Sequence, residues 1–338
     1  MRALSIKDFS FAYPEREELL SDISLELEPG SCALLIGATG SGKTTLLRSI
    51  KPELAPAGSH SGTIEVFGRD IEDLDVSQSS TLIGFVSQSP DNQIVCDSVW
   101  HELAFGLENL GVAPDQMRRR VAEVAYFFGI EPWLHTPIDA LSGGQKQILA
   151  LASVLVMQPQ LLLLDEPTAQ LDPIAEKNFI HALFRINREL GITIVVATHT
   201  PHTMVAYATD AFRLHGKHVE PVDLKELVVP LPSHEGSIEH MTAPAVVPEA
   251  VVVMRDVFFR YQSDSPWVLR GADLTVERGS IQAIIGGNGS GKSTILQLIA
   301  SILRPQRGSI TNTLAHSQAY LPQDPKALFV TDSVEAEL

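Results

Sequence analysis

The sequence predicts an α/β fold with a parallel-sheet core, present twice along the chain and the second time only in part. Three observations predict it. Two apolar runs of strand length, residues 32–36 and 281–285, each lead into a glycine-rich loop and then a helix-like stretch. Two further apolar runs, residues 161–164 and 192–197, lack polar alternation, as strands buried on both faces do. The third is an internal repeat. Asp8, Phe11 and Tyr13 recur as Asp256, Phe259 and Tyr261, and Glu28, Gly30 and Ser31 recur as Glu277, Gly279 and Ser280.

Composition agrees with a globular chain of about two domains. The 338 residues are 44% hydrophobic and 20% charged, with a formal net charge of −16. That charge argues against a broad nucleic-acid surface, which needs clustered Lys and Arg. Cys32 and Cys96 are the two cysteines and sit in no CxxC pair, so a disulfide framework is not expected and a reducing compartment is. The longest apolar run, residues 148–157, is far short of the roughly 20 residues that a membrane helix needs. The expectation is a chain soluble by itself, whose membrane role, if it has one, comes through a partner.

The repeat sets the domain boundaries. Residues 1–220 read as a complete domain, residues 221–248, with five prolines, as a linker, and residues 249–338 as the front part of a second domain. Gln88, Asp97, Ser98 and Val99 match Gln323, Asp332, Ser333 and Val334, and Leu338 is the counterpart of Leu103. Because that end falls inside a repeated motif, an incomplete chain is the expectation. Residues 62–88 form a longer stretch than residues 308–323, so the second copy lacks about a strand there.

Each glycine-rich loop fits the phosphate-binding pattern. The first has Gly37, Gly40, Gly42, Lys43, Thr44 and Thr45; the second has Gly286, Gly289, Gly291, Lys292, Ser293 and Thr294. Glycines let backbone N–H groups wrap phosphate oxygens, and the following helix N-terminus adds partial positive charge. Lys43 would neutralise terminal phosphates, while the Thr44 and Ser293 hydroxyls would bind Mg²⁺. The ligand class is therefore a nucleotide with Mg²⁺; such a loop is shared by kinases, GTPases, helicases and transport motors.

Other motifs narrow the chemistry. Leu141-Ser142-Gly143-Gly144-Gln145 opens an apolar helix-like stretch; Ser142 suits an N-cap. A capped core helix with a flexible start explains that segment equally well when it is taken alone. The strand at 161–164 ends in Asp165 and Glu166, a carboxylate pair that is costly to bury unless a metal or water uses it. Asp165 suits Mg²⁺, and Glu166 suits activation of the attacking water. His199 closes the second buried strand, where ligands gather in phosphate-binding sheets.

This order of motifs resembles the ABC (ATP-binding cassette) ATPases, fully over residues 1 to about 220 and as a front half over 249–338. The resemblance implies the P-loop NTPase fold of ABC type, with antiparallel β and helical subdomains around the parallel sheet. It implies that Tyr13 and Tyr261 stack on adenine, and that Gln88, with Gln323 its counterpart, touches Mg²⁺ and water. It implies Glu166 as catalytic base and His199 on the terminal phosphate. It implies, finally, that Ser142, Gly143, Gly144 and Gln145 reach a nucleotide held by another ATPase domain, in the same chain or a second one. The segment from Gln88 through Gly111 resembles energy-coupling factor (ECF) importers and cobalt and nickel uptake ATPases. In that group the partner is a membrane-embedded subunit contacted by the region after Gln88, so the chain would sit peripherally on the inner face of the cell membrane. The alternative is a soluble tandem ATPase acting on ribosomes or DNA. The short acidic linker and the net charge weigh against it.

Overall fold

The computed structural model describes residues 1–228, 249–287 and 289–322, and it divides into two units, Met1–Ser233 and His234–Leu338. The first unit opens with β1 (Leu4–Ala12), β2 (Glu18–Leu27), β3 (Cys32–Ile36) and α1 (Lys43–Ile50). Next come β4 (Ser59–Val66), β5 (Arg69–Asp70), α2 (Val76–Leu82) and β6 (Ile83–Val86). Three helices then run without a strand between them: α3 (Val99–Asn109), α4 (Pro114–Phe128) and α5 (Gly143–Leu155). The unit continues with β7 (Leu161–Asp165), α6 (Pro173–Leu190), β8 (Thr193–Thr198), β9 (Asp210–His215), β10 (His218–Pro221) and α7 (Leu224–Leu227).

The central sheet has the order β10-β9-β3-β8-β7-β6, parallel throughout except for β10 at one edge. β3, β7 and β8 are buried along their whole length, which is why their sequences carry no polar alternation. One face packs against α1 and the antiparallel sheet β2-β1-β4-β5 through Leu20, Leu46, Leu163 and their neighbours. The other face is covered by α5 and α6 through Leu151, Phe179 and Leu183. A third cluster, with Leu103, Val121 and Leu149 at its centre, joins α3, α4 and α5 into a helical layer. Parallel-sheet core, antiparallel layer and helical layer together make the expected α/β architecture.

The first residues of the stretch expected as a linker, 222–227, are packed against the first unit. Leu227 is buried, and Val222 and Leu224 pack on the same cluster as β3 and β8. Prolines mark breaks in regular structure, but here an apolar turn of helix after Pro221 still has a core to reach. Residues 229–248 lie outside the described residues.

The second unit has β11 (Ala250–Phe259), β12 (Leu269–Glu277), α8 (Lys292–Ile299) and β13 (Arg307–Asn312), with the sheet order β12-β11-β13. Its backbone repeats details of the first. Asp8 and Asp256 both adopt positive φ at a bulge, 51° and 47°. Opposite each lies a glycine, Gly62 or Gly308, whose added Cβ would come within 2.4 or 2.3 Å of the aspartate carbonyl oxygen. The expected strand at 281–285 is not formed, and Ile281 and Ile285 are fully exposed. In the first unit β3 is bonded by β9 on one side and β8 on the other. Among the described residues the second unit has no strand in either position, and a lone parallel strand cannot satisfy its backbone groups.

Candidate functional site

Three neighbouring strands of the central sheet, β3, β7 and β8, deliver their C-terminal ends to one place. The loop after β3 turns into α1 through Gly42, which caps the helix at φ 107°, a conformation that a side chain rarely adopts. Gly37 is held to glycine by space: an added Cβ would lie 2.7 Å from the Leu214 carbonyl oxygen and 2.8 Å from Ser41 Oγ. Gly40 has φ 81°. Lys43 is buried and folds back over the loop, donating from Nζ to the Gly37 and Ala38 carbonyls at 2.9 and 3.1 Å. Ser41 Oγ is buried with no hydrogen-bond partner. An unpaired buried hydroxyl beside a buried ammonium and a helix N-terminus suits an incoming phosphate.

Asp165 ends β7 and lies 4% exposed. Thr44 Oγ1 donates to its Oδ1 at 3.0 Å. Burial pushes the Asp165 carboxyl above its usual range, against the pull of the Thr44 hydrogen bond and of Arg48. A cation at this spot would reverse that cost. Thr44 and Asp165 together thus supply the hard oxygen donors that Mg²⁺ takes.

Glu166 adopts φ 45°, unusual for a residue with a long side chain, and its N–H donates to the Ala197 carbonyl of β8 at 2.9 Å. This turns the carboxylate back over the phosphate loop. Oε1 then lies 3.5 Å from Lys43 Nζ, and Oε2 lies 2.8 Å from His199 Nδ1. No spacing in the sequence announces the left-handed backbone at Glu166; the adjoining register of β7 and β8 imposes it. His199 is half exposed, just past the end of β8.

The remaining expected residues lie around this centre. Tyr13 is partly buried; its Oη is 3.0 Å from Thr45 Oγ1 and its ring meets Phe11 edge to face at 5.0 Å. Gln88 is exposed two residues past the end of β6, and among the described residues no side-chain hydrogen bond joins it to the phosphate loop. Ser142 caps α5 and, with Gln145, forms a capping box: the serine Oγ accepts from Gln145 N, and Gln145 Oε1 accepts from Ser142 N at 2.8 Å. Gly143 is exposed, and Gly144 approaches α6 so closely that an added Cβ would lie 2.8 Å from the Ala175 Cβ. The Gln145 side chain is therefore turned onto its own helix.

The second loop repeats the local pattern without the surroundings. Gly291 caps α8 at φ 92°, Gly289 has φ 75°, and a Cβ on Gly286 would lie 2.7 Å from Ser290 Oγ. Lys292 Nζ donates to the Gly286 and Gly287 carbonyls at 2.9 and 2.7 Å. Tyr261 Oη is 3.0 Å from Thr294 Oγ1, and its ring meets Phe259 edge to face at 5.1 Å. Ser293 starts the helix beside Lys292. Gln323 lies outside the described residues.

Comparison with known proteins gives one family, two relatives and two solved structures. The family described as "ABC transporter" matches residues 20–169 and 269–335. A Bacillus cereus protein named "Putative ABC transporter ATP-binding protein" is 36% identical across 98% of this chain and 69% of its own length. A Bacillus subtilis protein named "Putative HMP/thiamine import ATP-binding protein YkoD" is 31% identical across 99% of this chain and 70% of its own length. Among solved structures, cbiO1 from Clostridium perfringens, described as part of the ABC transporter complex cbiONQ, is 33% identical, with a TM-score of 0.61 over 67% of this chain and 90% of cbiO1. The ATP-binding cassette MJ0796 superposes at TM-score 0.57 over 65% of this chain and 98% of its own; at 24% identity that likeness is one of fold.

Proposed function

The chain belongs to the ABC transporter family, and we propose that it is the ATP-driven motor subunit of a membrane importer of the energy-coupling factor type. Its ATPase chemistry is that of the family. The importer reading is carried by the likeness to cbiO1, a part of the complex cbiONQ, and the import named for the Bacillus subtilis relative agrees with it. Vitamins, their precursors and metal ions are the cargo classes this reading admits. The acidic balance of the chain disfavours the ribosome or DNA alternative.

In this reading the P-loop amides, Ser41 and Lys43 bind the ATP phosphates, and Tyr13 faces adenine. Thr44 and Asp165, with Gln88, hold Mg²⁺, which supplies charge neutralisation at the phosphates when bound. Glu166 takes the proton from the attacking water, and His199 orients that carboxylate through the bond between Nδ1 and Oε2. Lys43 leaves its carbonyl partners as a phosphate enters the loop. Ser142 to Gln145 serve a nucleotide held by a second ATPase domain, and the second unit is the front part of such a domain, with Tyr261, Gly286, Gly289, Gly291, Lys292, Ser293, Thr294 and Gln323 on its own nucleotide.

Among the described residues no helix is long and apolar enough to cross a membrane, so attachment to the inner face would come through a partner. Residues 90–106 are the partner surface in this reading: Val95 and Phe105 are exposed apolar side chains there. The test is affinity purification of the tagged chain from detergent-solubilised membranes. An integral membrane protein should co-purify in stoichiometric amount, and Val95→Asp with Phe105→Asp should lose it while ATP binding is kept. Stoichiometric recovery of ribosomal or DNA-bound material instead would overturn the importer reading.

A further inference from the structure

The segment after Gln88 is tied to the helix that carries Ser142 to Gln145. Lys146, the next residue of α5, donates from Nζ to Asp91 Oδ1 at 2.6 Å. One turn further along, the Ala150 carbonyl receives Gln93 Nε2 at 3.5 Å; the same nitrogen lies 3.4 Å from the Phe85 carbonyl. Gln93 Oε1 accepts from Ser87 N at 2.9 Å, which closes the neck of the loop beside Gln88. On its far side, the buried Glu102 of α3 accepts from Val95 N and Cys96 N, both at 3.0 Å. The loop is therefore fixed at its neck, its tip and its exit, and the tip is fixed to the start of α5.

The tip contact is a modest contributor to stability: Asp91 is 67% exposed and Lys146 21%, and a surface pair of this kind contributes up to about 1 kcal/mol. Its distinctive property is placement: it joins residue 91, beside exposed Val95, to the first turn of α5, where the Lys146 N–H already donates to Ser142 O at 2.9 Å. We infer that Asp91 and Lys146 form a positioning pair that makes the 88–96 segment and the Ser142–Gln145 turn move as one body. That the displacement comes from a membrane partner rests on the importer reading; the coupling itself does not. ATP hydrolysis then responds to the loop through presentation of Ser142–Gln145, in addition to any effect through Gln88.

The test is a double-substitution cycle on the intact purified chain without membrane components, read by hydrogen exchange and by ATP hydrolysis. Asp91→Ala should speed amide exchange in residues 143–147 about three- to tenfold. Lys146→Met should do the same in residues 92–96, with other segments unchanged. The exchanged pair, Asp91→Lys with Lys146→Asp, should restore most of the protection in both segments, and Lys146→Arg should retain it. For hydrolysis, each single substitution should lower kcat about three- to tenfold with KM for ATP within twofold, and the exchanged pair should recover it. Absence of the reciprocal exchange effect, or single effects that add in the exchanged pair without recovery, would overturn the inference while leaving the importer reading intact. Loss of the membrane partner with the cycle preserved would overturn the importer reading alone.

Discussion

The two phosphate loops of this chain are nearly the same object in different settings. Both close on a left-handed glycine, both fold a lysine onto two loop carbonyls, and both bond a tyrosine hydroxyl to a threonine at the third position of the helix. Around the first, β8 and β9 flank β3, Asp165 bonds Thr44, Glu166 pairs with Lys43, and His199 bonds Glu166. Around the second, residues 281–285 form no strand, and Lys292 is joined to no carboxylate among the described residues. The loop motif thus encodes its own geometry, a turn and a helix cap, within about ten residues. The chemistry is encoded elsewhere, by strands that arrive from more than a hundred residues away.

Hydrogen exchange measured along the intact chain sharpens this contrast most. Amides of residues 33–36 sit inside a buried parallel ladder, and those of residues 281–285 do not. Openings of a core strand approach the global unfolding free energy, whereas unladdered segments open almost freely, so protection should differ by on the order of 10³-fold or more. Equal protection in the two segments would break the comparison at its structural root.

Adenine recognition gives the next largest effect. Tyr13→Ala should weaken ATP binding at the first loop by about 1–3 kcal/mol, the worth of base–aromatic stacking, while Tyr13→Trp should be tolerated. The check is calorimetric titration with ATP in a Lys292→Ala background. Equal affinity for the alanine and tryptophan variants would leave Tyr13 as a packing residue alone. Smaller still is Tyr13→Phe, which keeps the ring and removes the bond to Thr45 Oγ1. It should cost about 0.5–1.5 kcal/mol of first-unit stability, measured by denaturant unfolding. The same change at Tyr261 should cost less, because that residue is more than half exposed.

The sequence makes much of this legible because the relevant signals are local or continuous. Buried parallel strands show themselves as unbroken apolar runs, and Ser142 caps a helix where its residue type suggests. The failures are equally instructive. Residues 281–285 have the right composition for a strand, but a strand is a relation between segments, and composition cannot report whether neighbours exist. The stretch after Pro221 looks like a linker by its prolines, yet Leu227 finds a core that residues far upstream create. Likewise, the pairing of Glu166 with His199 and Lys43 follows from strand order, and the ties from Asp91 and Gln93 to α5 cross more than fifty residues of sequence. Asp91 carried no catalytic signal of its own; only its position three residues past Gln88 hinted at a role.

The central claim is that catalysis depends on the carboxylate that the first unit alone supplies among the described residues. The most direct measurement is steady-state ATP hydrolysis by the Glu166→Gln chain, with ATP binding measured on the same samples. The substitution keeps the shape and removes the base. Binding should stay within about threefold, and turnover should fall by about 10²-fold or more, the range typical of losing a positioned proton acceptor. Turnover at the level of the unsubstituted chain, with binding intact, would contradict the assignment.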